Sequence, residues 1–150
     1  MIPPAGIKPG KKNLFYNESH HAWREELKKF VAKEIIPFVE EWEEAGEFPR
    51  ELYKKAGDFG LLGMGYPEEL GGTSEGIDIF HGIVTAEEIA QGCGGVAASL
   101  LSLNISLPLI MALGTEEQKK KYIPPVIAGD KIACLGVTEP SGGSDVAGIK

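Results

Sequence analysis

Apolar residues at Trp23, Leu27, Phe30, Val31, Ile35, Phe38, Val39 and Trp42 recur at spacings of three and four. That is the period of one face of an α-helix and the wrong period for a strand. The run commits the front of the chain to a long amphipathic helix. Pro37 lies inside it and has no amide to offer the carbonyl of Lys33, so a kink or break is expected there. The acids that follow, Glu40, Glu41, Glu43, Glu44 and Glu47, radiate around a helix instead of converging. They read as a solvated acidic end and not as a catalytic carboxylate pair.

The same period governs most of the remaining chain. Pro49 suits the start of a helix over 50–59 that buries Leu52, Ala56 and Phe59 and stops at Gly60. The stretch 61–73 is rich in glycine and holds a Tyr66-Pro67 step, which makes it an irregular connection. Gly63-Met64-Gly65 is half of a dinucleotide fingerprint without the strand-turn-helix around it, so no nucleotide site is read there. A further helix over 77–90 is expected, ended by Gly92, Gly94 and Gly95. The segment 96–113 is the most apolar of all. Its length raises a membrane span, but Ser99, Ser102, Asn104, Ser106 and Pro108 suit the central helix of a bundle better, and no span is expected. Its small residues Ala97, Ala98 and Ser99 fit either close helix packing or the wall of an apolar cavity. Thr115-Glu116-Glu117-Gln118 is a capping box. The helix it opens should stop near Pro124-Pro125, with Gly129-Asp130 turning the chain onward.

Composition narrows the function classes. A formal charge of −7 and a pI near 5.0 argue against nucleic acid as a partner, since phosphate binding needs a basic face. Lys119-Lys120-Lys121 follows two glutamates and reads as the basic side of a solvated helix. Cys93 and Cys134 are the two cysteines, without histidine at metal-ligand spacing, so neither a disulfide framework nor a metal site is expected. They are read as buried thiols in a reducing compartment. His20, His21 and His81 form no metal or protease motif and are read as surface or satisfied core residues. The first twelve residues lack an apolar core of signal-peptide length. The expected location is the cytoplasm, or the mitochondrial matrix in a eukaryote.

Near the end the pattern changes. Ile132 to Val137 is short, apolar and rich in strand formers, and it breaks into Thr138-Glu139-Pro140-Ser141-Gly142-Gly143-Ser144-Asp145. This reads as a strand delivering a polar loop. Gly142 and Gly143 let a flat ligand or a phosphate approach backbone amides, and Thr138, Ser144 and Asp145 can bond to a ligand or to the loop itself. On spacing alone an ordinary strand-to-turn connection is the better reading. One strand does not make a sheet. The expectation is therefore the front part of a longer protein, or a strand that pairs with another chain.

The run Gly136-Val137-Thr138-Glu139-Pro140-Ser141-Gly142-Gly143-Ser144-Asp145-Val146-Ala147-Gly148 resembles the signature of the acyl-CoA dehydrogenase family, the flavoenzymes of fatty-acid and branched-chain β-oxidation. So do the phrase from Glu41-Trp42-Glu43-Glu44-Ala45-Gly46 through Leu61-Leu62-Gly63, and Gly114-Thr115-Glu116-Glu117-Gln118 with Lys121-Tyr122. The likeness covers the chain from about Leu14 to Lys150. It implies a mainly α fold: a tail over 1–12, an N-terminal multi-helix domain over 13–130, and over 131–150 the first strand and flavin-binding loop of a middle β-domain that is mostly absent.

The resemblance also implies chemistry. FAD would lie along Leu135, Gly136, Val137, Thr138, Glu139, Pro140, Ser141, Gly142, Gly143 and Ser144, with Val137 and Thr138 against the isoalloxazine ring. Ser144 would sit where cofactor and CoA thioester meet, and Ala97 and Ala98 would belong to the acyl wall. The implied reaction removes an α-proton from a fatty acyl-CoA and passes a β-hydride to the flavin, giving a trans-2-enoyl-CoA. Electrons then leave through an electron-transferring flavoprotein. Glu139 is not read as the base, the catalytic glutamate lies outside this chain, and the piece alone is expected to be inactive. The absence of arginine from 96–113 disfavours a dicarboxylyl substrate, and the phrase at 41–46 is somewhat nearer the long-chain branch. A homotetramer is implied for the whole protein. An acyl-CoA oxidase, a flavin monooxygenase, or a non-catalytic helical binding subunit on the same fold remain as alternatives.

Overall fold

A computed structural model describes residues 15–150. The expected tail over 1–12 lies outside the described residues. Seven α-helices follow in order: α1 Glu18–Glu34, α2 Val39–Ala45, α3 Glu51–Asp58, α4 Ile79–Gly92, α5 Gly94–Leu100, α6 Leu103–Leu113 and α7 Glu116–Ile127. They fall into two compact units. One holds the described residues up to Phe48 together with Gly76–Ala97, the other Pro49–Glu75 and Ala98–Lys150.

The first unit is built on α1 and α4. Leu27, Phe30, Val31 and Ile35 are buried on the first, Val84 and Ile89 on the second, as the helical period requires. Each helix opens with a reciprocal cap whose third residue is histidine in place of the usual glutamate or glutamine. Asn17 Oδ1 accepts from the His20 amide at 3.1 Å while His20 Nδ1 accepts from the Asn17 amide at 3.0 Å. Asp78 and His81 repeat the arrangement. At one end His20 Nε2 lies 2.9 Å from Asp78 Oδ1. At the other, a Cβ added to Gly92 would meet Ile35 Cγ2 at 2.8 Å. The two helices therefore run parallel, start beside start. Between those ends Trp23 Nε1 donates to Thr85 Oγ1 at 2.8 Å, and Arg24 pairs with both Glu87 and the buried Glu88.

Pro37 breaks the first helix as expected. α1 ends at Glu34, a 3-10 turn covers Ile36–Phe38, and α2 follows. The acidic end is solvated, although Glu43 Oε1 accepts from Cys93 Sγ at 2.9 Å. The reading of both cysteines as buried is corrected here: Cys93 is half-buried and Cys134 exposed. Their apolar neighbours in sequence do not cover them, because one caps a helix end and the other lies on an extended segment.

The second unit packs Leu52 and Ala56 of α3, the irregular stretch 61–73 with Leu61, Leu62, Tyr66 and Leu70, Leu103 and Leu107 of α6, and Ile123, Val126 and Ile127 of α7. The irregular stretch is pinned by Gly65 donating to Thr73 at 2.8 Å and Thr73 to Gly63 at 3.0 Å. Gly57 of α3 lies against the carbonyl of Ala128, where a Cβ would come within 2.4 Å. Gly129 takes φ of +77°, and a Cβ there would meet the Tyr53 carbonyl oxygen at 2.1 Å. Two glycines thus let the end of α7 sit directly on α3.

Three expected boundaries move. Gly94 and Gly95 do not end α4; they open α5 after Cys93 takes an extended conformation. The apolar segment is two helices, interrupted at Leu101-Ser102, where the Ser102 hydroxyl turns back onto the Ser99 carbonyl at 2.7 Å. By length and composition Gly94–Leu113 is long and apolar enough to cross a membrane, with a mean hydropathy of 2.0. Helix α7 runs through Pro124 and Pro125 to Ile127. The two missing amides cost two bonds, but burial of Ile123, Val126 and Ile127 holds the last turn. The Thr115–Gln118 capping box forms as read, with bonds of 2.8 and 3.2 Å.

Candidate functional site

The sequence places its candidate residues on 131–145, and the way α7 ends decides how that segment leaves the fold. The amides of Asp130 and Lys131 both donate to the Pro125 carbonyl, at 3.0 and 2.9 Å. The Ser102 hydroxyl, whose one hydrogen goes chiefly to the Ser99 carbonyl at 2.7 Å, also reaches the Ala133 carbonyl at 3.3 Å. Beyond that anchor the chain is extended but unpaired: no strand forms over 132–137, and none occurs among the described residues. The physical reason is simple. A ladder needs a second strand, and no described segment lies alongside to supply the partner carbonyls and amides.

The loop is ordered by a few local bonds. Glu139 and Gly142 exchange both backbone bonds, at 2.9 and 3.1 Å, so Pro140 and Ser141 form the tip of a tight turn. The Glu139 carboxylate accepts from the Lys150 amide at 3.3 and 3.4 Å. Gly148 donates to the Asp145 carbonyl at 3.1 Å. A Cβ at Gly143 would lie 3.5 Å from the Thr138 side chain, whereas Gly136 and Gly142 have nothing within 4 Å of that position.

What remains is a strip of unused donors. Among the described residues, the amides of Leu135, Gly136, Val137, Thr138, Gly143 and Ser144, and the hydroxyls of Thr138, Ser141 and Ser144, make no hydrogen bond within the protein. All of these residues are exposed, and Ile132, Leu135 and Val137 present apolar side chains, 42%, 49% and 37% exposed, on the same segment. Apolar surface interleaved with free backbone donors suits a flat, partly anionic ligand. By their chemistry these residues could hold a flavin: the donors would serve its polar atoms and the branched side chains a ring face. Ala97, by contrast, is buried and Ala98 exposed on α5, so the two do not present one surface.

One polar cluster was not legible as such. His20, Asp78 and His81 bring their ligand atoms within 4.8 Å of one another, with the imidazoles 4.3 Å apart at their centroids. Both Nδ1 atoms accept backbone amides in the helix caps, so the cluster is a joint between two helix starts. Its signal in the sequence was the repeated Asx-x-x-His spacing, Asn17 to His20 and Asp78 to His81. Burial pushes the Asp78 carboxyl up. Hydrogen bonds donated to the carboxylate by the His20 ring and the His81 amide outweigh it and hold the group below the usual carboxylate range.

The described chain thus folds as two helical units, the second of which ends in an exposed segment with free backbone donors. Residues 17–130 match the family model described as acyl-CoA dehydrogenase, N-terminal domain. The mitochondrial long-chain specific acyl-CoA dehydrogenase of Rattus norvegicus is 44% identical over 142 residues, 94% of this chain and 32% of its own length. The acyl-CoA dehydrogenase of Geobacillus kaustophilus superposes with a TM-score of 0.83 at 34% identity, covering 92% of this chain and 36% of that one. A glutaryl-CoA dehydrogenase of Mycobacterium smegmatis, solved in complex with FADH2, gives 0.82 at 30% identity over 90% of this chain and 34% of that one. The chain belongs to the acyl-CoA dehydrogenase family. It spans about a third of the length of the relatives it matches.

Proposed function

We propose that this chain serves as the N-terminal part of an FAD-dependent acyl-CoA dehydrogenase, acting on a fatty acyl-CoA thioester to give the trans-2-enoyl-CoA. The observation that carries the proposal is the set of unpaired donors at 135–138 and 143–144, on the stretch that resembles the family signature. FAD, when bound, supplies the acceptor for the hydride that leaves the substrate's β-carbon. The chain's own residues bind and orient. Val137 covers the ring. The amide and hydroxyl of Thr138 meet its polar edge, where fixed donors favour negative charge. Ser144 lies toward the thioester end, and Gly142 and Gly143 leave room for the backbone to approach. Ala98, the exposed member of the Ala97-Ala98 pair, is assigned to the acyl wall. No residue of this chain is assigned as the base.

The domain division proposed is 13–130 for the helical domain and 131–150 for the opening of a β-domain. With it go an electron-transferring flavoprotein as acceptor, a homotetramer, no membrane span, and a cytoplasmic or matrix location. The test is the visible spectrum of the full-length flavoprotein, taken anaerobically before and after acyl-CoAs of graded chain length. Flavin bands that bleach support the proposal and name the chain length. Rapid reoxidation by oxygen would move the reading to an oxidase. A yellow protein that no acyl-CoA bleaches, or a colourless one, would refute it.

A further inference from the structure

From Cys134 to Lys150 every residue is exposed except Glu139, which is half-buried. It is also the most tied. Its amide donates to Gly142 at 2.9 Å, its carbonyl accepts from Gly142 at 3.1 Å, and both carboxylate oxygens accept from the Lys150 amide, at 3.4 and 3.3 Å. The backbone pair makes the turn, and the carboxylate closes the longer loop that starts at the turn and ends at Lys150. Immediately before the pair stands Thr138. Immediately after it stand Gly143 and Ser144. The Thr138 side chain lies over Gly143, 3.5 Å from where a Cβ would be. Two of the three hydroxyl residues of the donor strip, Thr138 and Ser144, are therefore set relative to each other through Glu139.

We propose that Glu139 is a positioning residue: its carboxylate clamps the Lys150 amide, closes the 139–150 loop and so holds the Thr138 and Ser144 donors in the spacing the cofactor needs. Its side chain neither exchanges a proton with substrate nor touches the flavin; Glu139 belongs to the flavin-lining stretch through its backbone alone. An acceptor oxygen is what the clamp requires, and a negative charge is not. The inference rests on the flavin reading of the donor strip.

The experiment uses the full-length flavoprotein and four forms: wild type, Glu139→Gln, Glu139→Ala and Lys150→Pro. Glutamine keeps an acceptor oxygen, and alanine removes it. Proline removes the donor, and Ile149 at φ −59° and ψ 135° already has the conformation that precedes proline. The dissociation constant of FAD from the apoprotein, the flavin reduction potential and the pH profile of kcat are read for each. Glu139→Ala and Lys150→Pro are expected to weaken FAD binding by about 5- to 10-fold, the loss of roughly one hydrogen bond. Together they should weaken it no further than either alone. Glu139→Gln is expected to stay within about 3-fold of wild type, with unchanged potential and pH profile. A glutamine variant as impaired as alanine, with a shifted potential or pH profile, would overturn the inference in favour of a charge role. Additive effects of the alanine and proline variants, or an alanine variant that binds FAD like wild type, would also overturn it. A wild-type protein that holds no flavin would defeat the flavin reading itself, a result separate from any difference among the variants.

Discussion

Replacing Gly129 with alanine adds a methyl group where the structure has no room for one. The residue sits at φ +77°, and the added Cβ would lie 2.1 Å from the Tyr53 carbonyl oxygen, 2.5 Å from its carbon and 2.8 Å from Lys54 Cα. All three are backbone atoms of α3, so no side chain can rotate out of the way. A left-handed conformation costs an alanine about 1–2 kcal/mol. Overpacking against a rigid neighbour adds about 1–3 kcal/mol, for a total of about 2–5 kcal/mol. Gly60 supplies the control. It has φ +87° with nothing within 4 Å of its Cβ position, so Gly60→Ala should show the conformational cost alone. Urea unfolding followed by far-UV circular dichroism, at constant m, measures both. Because Gly129 directly precedes the Asp130 and Lys131 amides that bind the Pro125 carbonyl, the same substitution should also raise the rate of proteolytic cleavage within 131–144. Equal destabilisation by the two substitutions, within about 0.5 kcal/mol, would refute the close-contact argument.

Other perturbations test the first unit and the core. Glu88→Ala leaves Arg24 partly buried with one of its two carboxylate partners gone and should cost about 3 kcal/mol, read from the same unfolding curves; a loss below about 1 kcal/mol would mean that water takes over the guanidinium. Ile123→Ala removes a fully buried side chain of α7 and should cost about 2–5 kcal/mol; a value near zero would show that the core of the second unit collapses around the gap. The depressed Asp78 carboxyl stabilises the folded state above its unfolded value, about 3.9, and that contribution is lost as pH falls through the lower folded value. Asp78→Asn should therefore flatten the fall in stability below about pH 4. Urea midpoints taken from pH 3 to 6 check it, and parallel profiles for wild type and variant would refute the assignment.

The readings that succeeded rest on local physics. Pro37 ends α1 because it lacks an amide wherever it stands, and Thr115 caps α7 because its partner is three residues away. The readings that moved depend on contacts distant in sequence. Pro124-Pro125 looks like a stop until Ile123, Val126 and Ile127 are seen buried around it. Gly94 and Gly95 look like a terminator, yet the chain re-enters a helix after one extended residue. The cysteines look buried by composition, and the fold leaves Cys134 in the open. In the candidate site, the donor types of Thr138 to Ser144 were legible. The anchor from Ser102 and the clamp of Glu139 on Lys150 were not, because a hydrogen bond to a backbone group leaves no mark on the partner's identity.

Sequence alone determined that this is a helical domain followed by a polar, glycine-containing segment with the family's signature. Periodicity, caps and motif are all written within a few residues of one another, where the chain's own geometry decides. Tertiary structure decided which of those signals prevail. It set α1 and α4 parallel through His20, Asp78 and His81, it allowed a helix through two prolines, and it left the amides of 135–138 unpaired. Burial and pairing are properties of a residue's neighbours in space, and the identity of those neighbours depends on the whole chain.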